Sequence, residues 1–174
     1  MSFRSIIDVM EYQQDIRLLA SRDIPEVRAG DYKIGPLKAG DPIRVPPSVA
    51  LFLISRGFAQ LIQQDFLSLE DLRKIHWRET KSLNDLQELD RGFYVRARLS
   101  MAQLGEQEAK QYEQTLKELA QARLRKLLNT VAVSPSLVDT REYLDKLPIE
   151  EEAIVREVSR IARSWVESMV ITSD

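Results

Sequence analysis

Two hydropathy rhythms divide the chain. Through Ile62 the apolar positions come in short runs broken by proline and glycine; beyond Gln63-Gln64-Asp65 those breakers nearly vanish and apolar residues recur every three or four positions. The first stretch reads as strands around one helix. Ile16-Arg17-Leu18-Leu19-Ala20 has the character of a strand, with a turn following at Asp23-Ile24-Pro25, and Ile6, Ile7, Val9 and Met10 allow a short helix before it. Gly35-Pro36 and Gly40-Asp41-Pro42 are turns, and Ile43-Arg44-Val45 alternates as a strand does. Pro46 keeps Val45 extended, whereas Pro47 suits a first helical turn, where its missing N–H costs nothing. The helix, Ser48 to Arg56, is apolar almost all round through Val49, Ala50, Leu51, Phe52, Leu53 and Ile54, which predicts burial on most sides. Gly57 closes it, and Phe58 to Ile62 leaves as a further strand.

The second stretch is helical. Ser68-Leu69-Glu70-Asp71 has the form of a capping box, with Leu69, Leu72, Ile75 and His76 following on one face; Ser82 to Asp85 repeats the signal ahead of Leu83, Leu86 and Leu89. From Arg91 to about Asn129 the spacing of Tyr94, Ala97, Met101, Leu104, Tyr112, Leu116 and Leu119 predicts helix throughout, on the order of 55 Å if unbroken. Gly105 gives the alternative, a pair of helices interrupted there. Thr130 to Ser136, with its β-branched residues and Pro135, reads as a connector. A last helix begins near Pro148, with Glu150, Glu151 and Glu152 toward the positive end of its dipole. It presents Ile154, Val155, Val158, Ile161, Ala162, Trp165, Val166 and Met169, a stripe too wide for one neighbour.

These rhythms imply an α+β chain: a small β-rich domain over 1–64, then a mainly α-helical domain, a bundle of long helices, over 65–174. A β-rich unit of about 60 residues lies near the lower limit for independent folding, so part of its surface is expected to pack on something else. With 174 residues, 44% of them hydrophobic, the chain has ample material for a core. Its net charge of -2 provides no long-range pull toward nucleic acid or an anionic membrane. Locally the balance shifts: residues 91–131 hold 8 basic and 4 acidic side chains, residues 132–174 hold 5 and 9, so the two segments are complementary. Asp8 and Glu11 argue against a signal peptide, and no apolar run approaches the length of a membrane span.

Candidate chemistry is sparse. The absence of cysteine removes disulfides, thiol catalysis and thiolate metal sites, and the single histidine, His76, leaves no zinc set to assemble. His76 with Glu79 three residues on is the one candidate acid/base pair, against the plainer reading of a packing or surface histidine. The scattered glycines form no phosphate-cradling loop, and no cofactor is implied. Arg91, Arg96, Arg98, Arg123, Arg125 and Lys126, with Phe93 and Tyr94 nearby, make the helix of residues 91–128 a candidate nucleic-acid surface; the plainer reading is a solvated face or salt bridges to the acidic last helix. Trp77 and Trp165 read as core residues, Trp165 also as an interface anchor.

The order turn, strand, double proline, buried helix, glycine stop and strand resembles the small domain of the GINS replication proteins. It is closest to the small-domain-first (Psf two/Psf three-like) subunits, in which a Gly-Pro, a Gly-x-Pro and a strand ending in Val-Pro lead into an apolar helix. Here these are Gly35-Pro36, Gly40-Asp41-Pro42 and Val45-Pro46. The resemblance implies a non-catalytic archaeal subunit, assembled with a paralogue of reverse domain order into a 2:2 heterotetramer. It further implies association with the MCM helicase and a RecJ-like protein at a cytoplasmic replication fork, with any DNA contact indirect, no membrane and no small-molecule substrate. Apolar spacing places the subunit contacts on Tyr94, Met101, Trp165 and Met169. The competing readings are the nucleic-acid module and the small enzyme built on His76 and Glu79.

Overall fold

The computed structural model describes residues 15–29 and 32–170. The short helix expected at Ile6 to Met10 lies outside them. The contacts within the chain sort into two compact units. The first gathers the described residues up to Leu72 together with Tyr94–Gln114; the second comprises Arg73–Phe93 and the described residues from Thr115 onward.

In the first unit β1 (Ile16–Ala20) is the middle of a three-stranded antiparallel sheet, flanked by β4 (Pro42–Val45) and β5 (Ala59–Leu61). Leu18 lies opposite both Ile43 and Leu61, so the pleat puts three apolar side chains on one face. A hairpin of β2 (Val27–Ala29) and β3 (Tyr32–Ile34) stands between β1 and β4 in sequence. Three turn glycines, Gly35, Gly40 and Gly57, have positive φ. A Cβ on Gly35 would stand 2.8 Å from the Pro25 carbonyl oxygen, so close approach as well as conformation requires glycine there.

Helix α1 (Pro47–Ser55) starts behind Pro46 and ends in a two-bond cap, in which the Gly57 N–H donates to the Ile54 carbonyl and the Phe58 N–H to that of Leu53. It buries Val49, Ala50, Leu53 and Ile54 against the sheet but leaves Leu51 and Phe52 nearly half exposed, which corrects the expectation of burial on most sides. A nine-residue helix of uniform hydropathy carries no periodicity from which its buried face could be read.

The sheet and α1 do not close their core alone. Val95 and Leu99 of α3 (Phe93–Met101) join Leu18, Ile24, Ile43 and Leu53 in one apolar cluster. The Ser100 hydroxyl accepts from the Leu67 N–H at 2.9 Å, and the Gln103 side chain accepts from the Leu61 N–H at 3.1 Å, satisfying backbone donors that β1 does not reach. The expected dependence of the β-rich stretch on a neighbour is thus met by a helix of the same chain.

Helix α2 (Leu69–Lys81) begins at the Ser68 cap, whose hydroxyl accepts from the Asp71 N–H and donates to its carboxylate. The run from Arg91 divides into α3 and α4 (Glu106–Val133) around Gly105, so the interrupted reading holds and the single helix of about 55 Å does not. Helix α4 also continues through Thr130 and Val131, where a connector was expected, because Val131 is buried beside Leu127 and Val138. A 3-10 turn (Leu137–Asp139), the short α5 (Arg141–Leu144) and α6 (Ile149–Val170) complete the second unit. Leu127, Val131, Val138, Leu144, Leu147 and Val155 form its apolar cluster.

Candidate functional site

Helix α6 changes character along its length. Its first turn sets Glu150, Glu151 and Glu152 in buried positions, and Val155 and Val158 continue into the apolar cluster of the second unit. Ala162 is the last residue of the stripe to pack there. One residue on, Arg163 forms a two-bond fork to the Asp139 carboxylate at 2.8 and 3.1 Å. From Arg163 to Val170 every residue is exposed, yet the apolar spacing does not stop. Trp165 is 63% and Met169 65% exposed, and Ile161, Val166 and Val170 are open beside them. One helical face is therefore covered over its first half and bare over its second. A bare patch containing tryptophan and methionine has the composition found in contact surfaces.

Of the four residues placed on the interface by apolar spacing, Trp165 and Met169 lie together on this stripe, one turn apart. Tyr94 and Met101 belong to α3 in the first unit and are half-buried. Trp77, expected in the core, is instead 62% exposed on α2, with the Lys81 ammonium 5.2 Å from its ring centre.

The interior of the second unit explains that reversal. Arg123 of α4 is fully buried; its guanidinium donates to Glu79 Oε2 at 2.5 Å, to both oxygens of Glu151 at 2.6 and 2.8 Å and to the Gln87 carbonyl at 2.8 Å. One turn on, Lys126 Nζ donates to Glu79 Oε1 at 2.6 Å and to the carbonyls of Glu79 and Asp85. Glu79 and Glu151 with Arg123 and Lys126 form a buried ionic group linking α2, α4, α6 and the segment after α2. With Glu79 turned inward, Trp77 faces out. At the rim Arg91 pairs with Glu152 at 2.7 Å. Burial pulls the Glu152 carboxyl upward, but the hydrogen bonds from Arg156 and Arg91 outweigh it and hold the carboxyl below its ordinary 4.5.

This arrangement corrects two of the competing readings. Both Glu79 oxygens are occupied by buried cations, so the carboxylate is not placed to exchange protons with a substrate, and His76 is left without its partner as an acid/base pair. Arg123 and Lys126 are inside the protein and Arg91 is ion-paired, so the helix of residues 91–128 does not offer its cations as one nucleic-acid surface. The complementarity of the basic and acidic segments is expressed instead in the pairs Arg123–Glu151 and Arg91–Glu152. Among the described residues no group of three or more histidine, aspartate and glutamate side chains is placed to hold a metal ion. No helix among them is long and apolar enough to cross a membrane.

Leu51 and Phe52 of α1 and Leu124 and Leu128 of α4 are further exposed apolar pairs that sequence reading missed. Leu124 and Leu128 are one turn apart, a spacing that could have revealed them. Comparison with known proteins bears on what such surfaces meet. Residues 66–170 match the family model for the GINS complex protein helical bundle domain. No curated protein matches the chain.

Proposed function

The chain belongs to the GINS family, and from that premise we propose that it is a small-domain-first subunit of an archaeal GINS complex. The family consists of non-catalytic subunits of a complex in DNA replication. In this reading residues 1–64 are the small domain and 65–174 the helical one. Supporting that division, the family match begins at residue 66. The subunit joins a paralogue of reverse domain order in a 2:2 heterotetramer and, with a RecJ-like protein, braces and activates the MCM helicase at a cytoplasmic replication fork. The ATP chemistry then resides in the helicase.

The observation that carries the subunit reading is the bare half of α6. A stripe of tryptophan, methionine, valine and isoleucine that continues past the covering cluster is costly in water, since each such side chain gains about 1.5–3 kcal/mol when fully covered. Tyr94 and Met101 are proposed as contacts on the same grounds of apolar spacing.

The test is co-expression with the reverse-order paralogue and mass measurement in solution. A heterotetramer is expected. Trp165→Ala with Met169→Ala is expected to weaken it by at least about 2 kcal/mol, roughly 30-fold, while leaving the melting of the isolated chain unchanged because both side chains are exposed. A chain that stays monomeric beside its paralogue, or a double variant that assembles like the parent, would refute the reading.

A further inference from the structure

The inward turn of Glu79 leaves the outer face of α2 without a carboxylate from Arg73 onward. Between Arg73 and Lys81 the helix carries Arg73, Lys74, Arg78 and Lys81, all exposed, and its one acid is buried under Arg123 and Lys126. Trp77 stands in the middle of that face. At helical spacing Arg73, Trp77, Thr80 and Lys81 share one side, and the Lys81 ammonium lies 5.2 Å from the indole centre. Thr80 also lines an open cleft of 420 Å³, whose walls include Ser82, Asn84, Arg125 and Asn129. The exposed ring thus has an ammonium over it, and Thr80, one turn of helix further on, opens onto a cleft lined by amides, hydroxyls and Arg125.

We propose that this face binds single-stranded nucleic acid, with Trp77 stacking a base and Arg78, Lys81 and Arg125 meeting the phosphates. The proposal goes beyond the subunit reading and does not rest on it. Three features favour this partner. An exposed indole offers a stacking platform to an unpaired base, which a duplex keeps inside its stack. A lysine over the ring suits a phosphate chain, whereas lysine is depleted at the centre of protein interfaces. The cleft has side-chain amides where base edges or sugar hydroxyls would lie, but the chain has no glycine-rich loop to cradle a free nucleotide. With a net charge of -2 the attraction is local to this face, and the phosphate contacts of its cations make it salt-dependent.

The test uses the full chain, alone and with its paralogue, and a fluorescent oligothymidylate of about 20 nucleotides at low salt, read by anisotropy. Saturable binding is expected. Trp77→Ala is expected to weaken it about tenfold, Trp77→Phe to restore most of the loss, and Lys81→Ala to reduce the slope of log affinity against log salt by about 0.7. Circular dichroism melts of the variants, which alter exposed side chains only, control for folding. Absence of binding, or binding indifferent to both alanine variants, overturns the proposal. So does a Trp77→Ala variant that loses the paralogue but keeps its oligonucleotide affinity, since the face would then be a protein contact. Masses measured on the same samples report assembly separately, so a failure to assemble counts against the subunit reading alone.

Discussion

At the centre of the first unit Leu18, Ala50 and Leu53 are fully buried among apolar neighbours, whereas the second unit buries, beside its apolar cluster, a guanidinium, an ammonium and two carboxylates. Both interiors are closed to water, but they respond to damage by different physics. An apolar core loses stability in proportion to what is removed, because each lost methylene takes away its own transfer energy and leaves a cavity of its own size. An ionic core depends on its members jointly. Each charge was taken from water at a cost that only its partners offset, so removing one partner strands the rest.

The largest expected effect is therefore in the second unit. Glu79→Ala takes one carboxylate from the fully buried Arg123 and leaves the nearly buried Lys126 ammonium on the carbonyls of residues 79 and 85. The expected loss is about 4 kcal/mol by urea unfolding. Glu79→Gln, nearly identical in shape, should recover less than half of it because both cations lose the negative charge they share. If the glutamine variant were as stable as the parent, the charges would not be what binds α2 to α4.

Next in size is Leu53→Ala in the first unit, expected to cost about 3 kcal/mol for a fully buried leucine. Here the nearly isosteric change behaves in the opposite way: Leu53→Met should cost less than about 1.5 kcal/mol, since volume and polarity are both kept. The comparison between the units fails if methionine at 53 is as harmful as glutamine at 79.

The same contrast decides what could be read from sequence. Local chemistry gave the Val45-Pro46-Pro47 entry into α1, the Gly57 stop, the Ser68 cap and the start of α6 after Pro148, since each depends on residues within one turn of itself. Ser82 shows where this ends. Its hydroxyl does accept from the Asp85 N–H at 3.1 Å, as in a capping box, but no helix follows. Lys126 takes the Asp85 carbonyl, Arg123 takes that of Gln87, and the Gln87 N–H donates to Glu79, so the segment's backbone groups serve the distant ion network. Hydropathy assigns Glu79 to the surface and Trp77 to the core, and burial of one charge inverts both. That the α6 stripe outruns its neighbour was legible because its width is a local property, although Trp165, read first as core, is exposed; which cations were already paired was not legible.

The smallest expected effect puts the comparison to its finest test. Tyr112 of α4 belongs to the first unit and is fully buried, and its hydroxyl has no hydrogen-bond partner among the described residues. Burial pushes its ionisation well above the ordinary 10, with Arg96 acting to lower it and Asp71 to raise it. The neutral phenol's contribution to stability is therefore fully present below pH 10 and is lost as pH rises from there toward the folded value. Tyr112→Phe removes both the stranded hydroxyl and this titration. At pH 7 the variant should match the parent or exceed it by up to about 1 kcal/mol, because the burial cost of an unpaired hydroxyl disappears with it. Above pH 10 it should retain stability that the parent loses, although Tyr143, also raised mainly by burial, will leave part of the alkaline decline in place. Melting curves at neutral and alkaline pH measure both effects. A loss of more than about 1 kcal/mol at pH 7 would mean that the first unit, like the second, depends on a buried polar group, and the division between an apolar and an ionic interior would no longer hold.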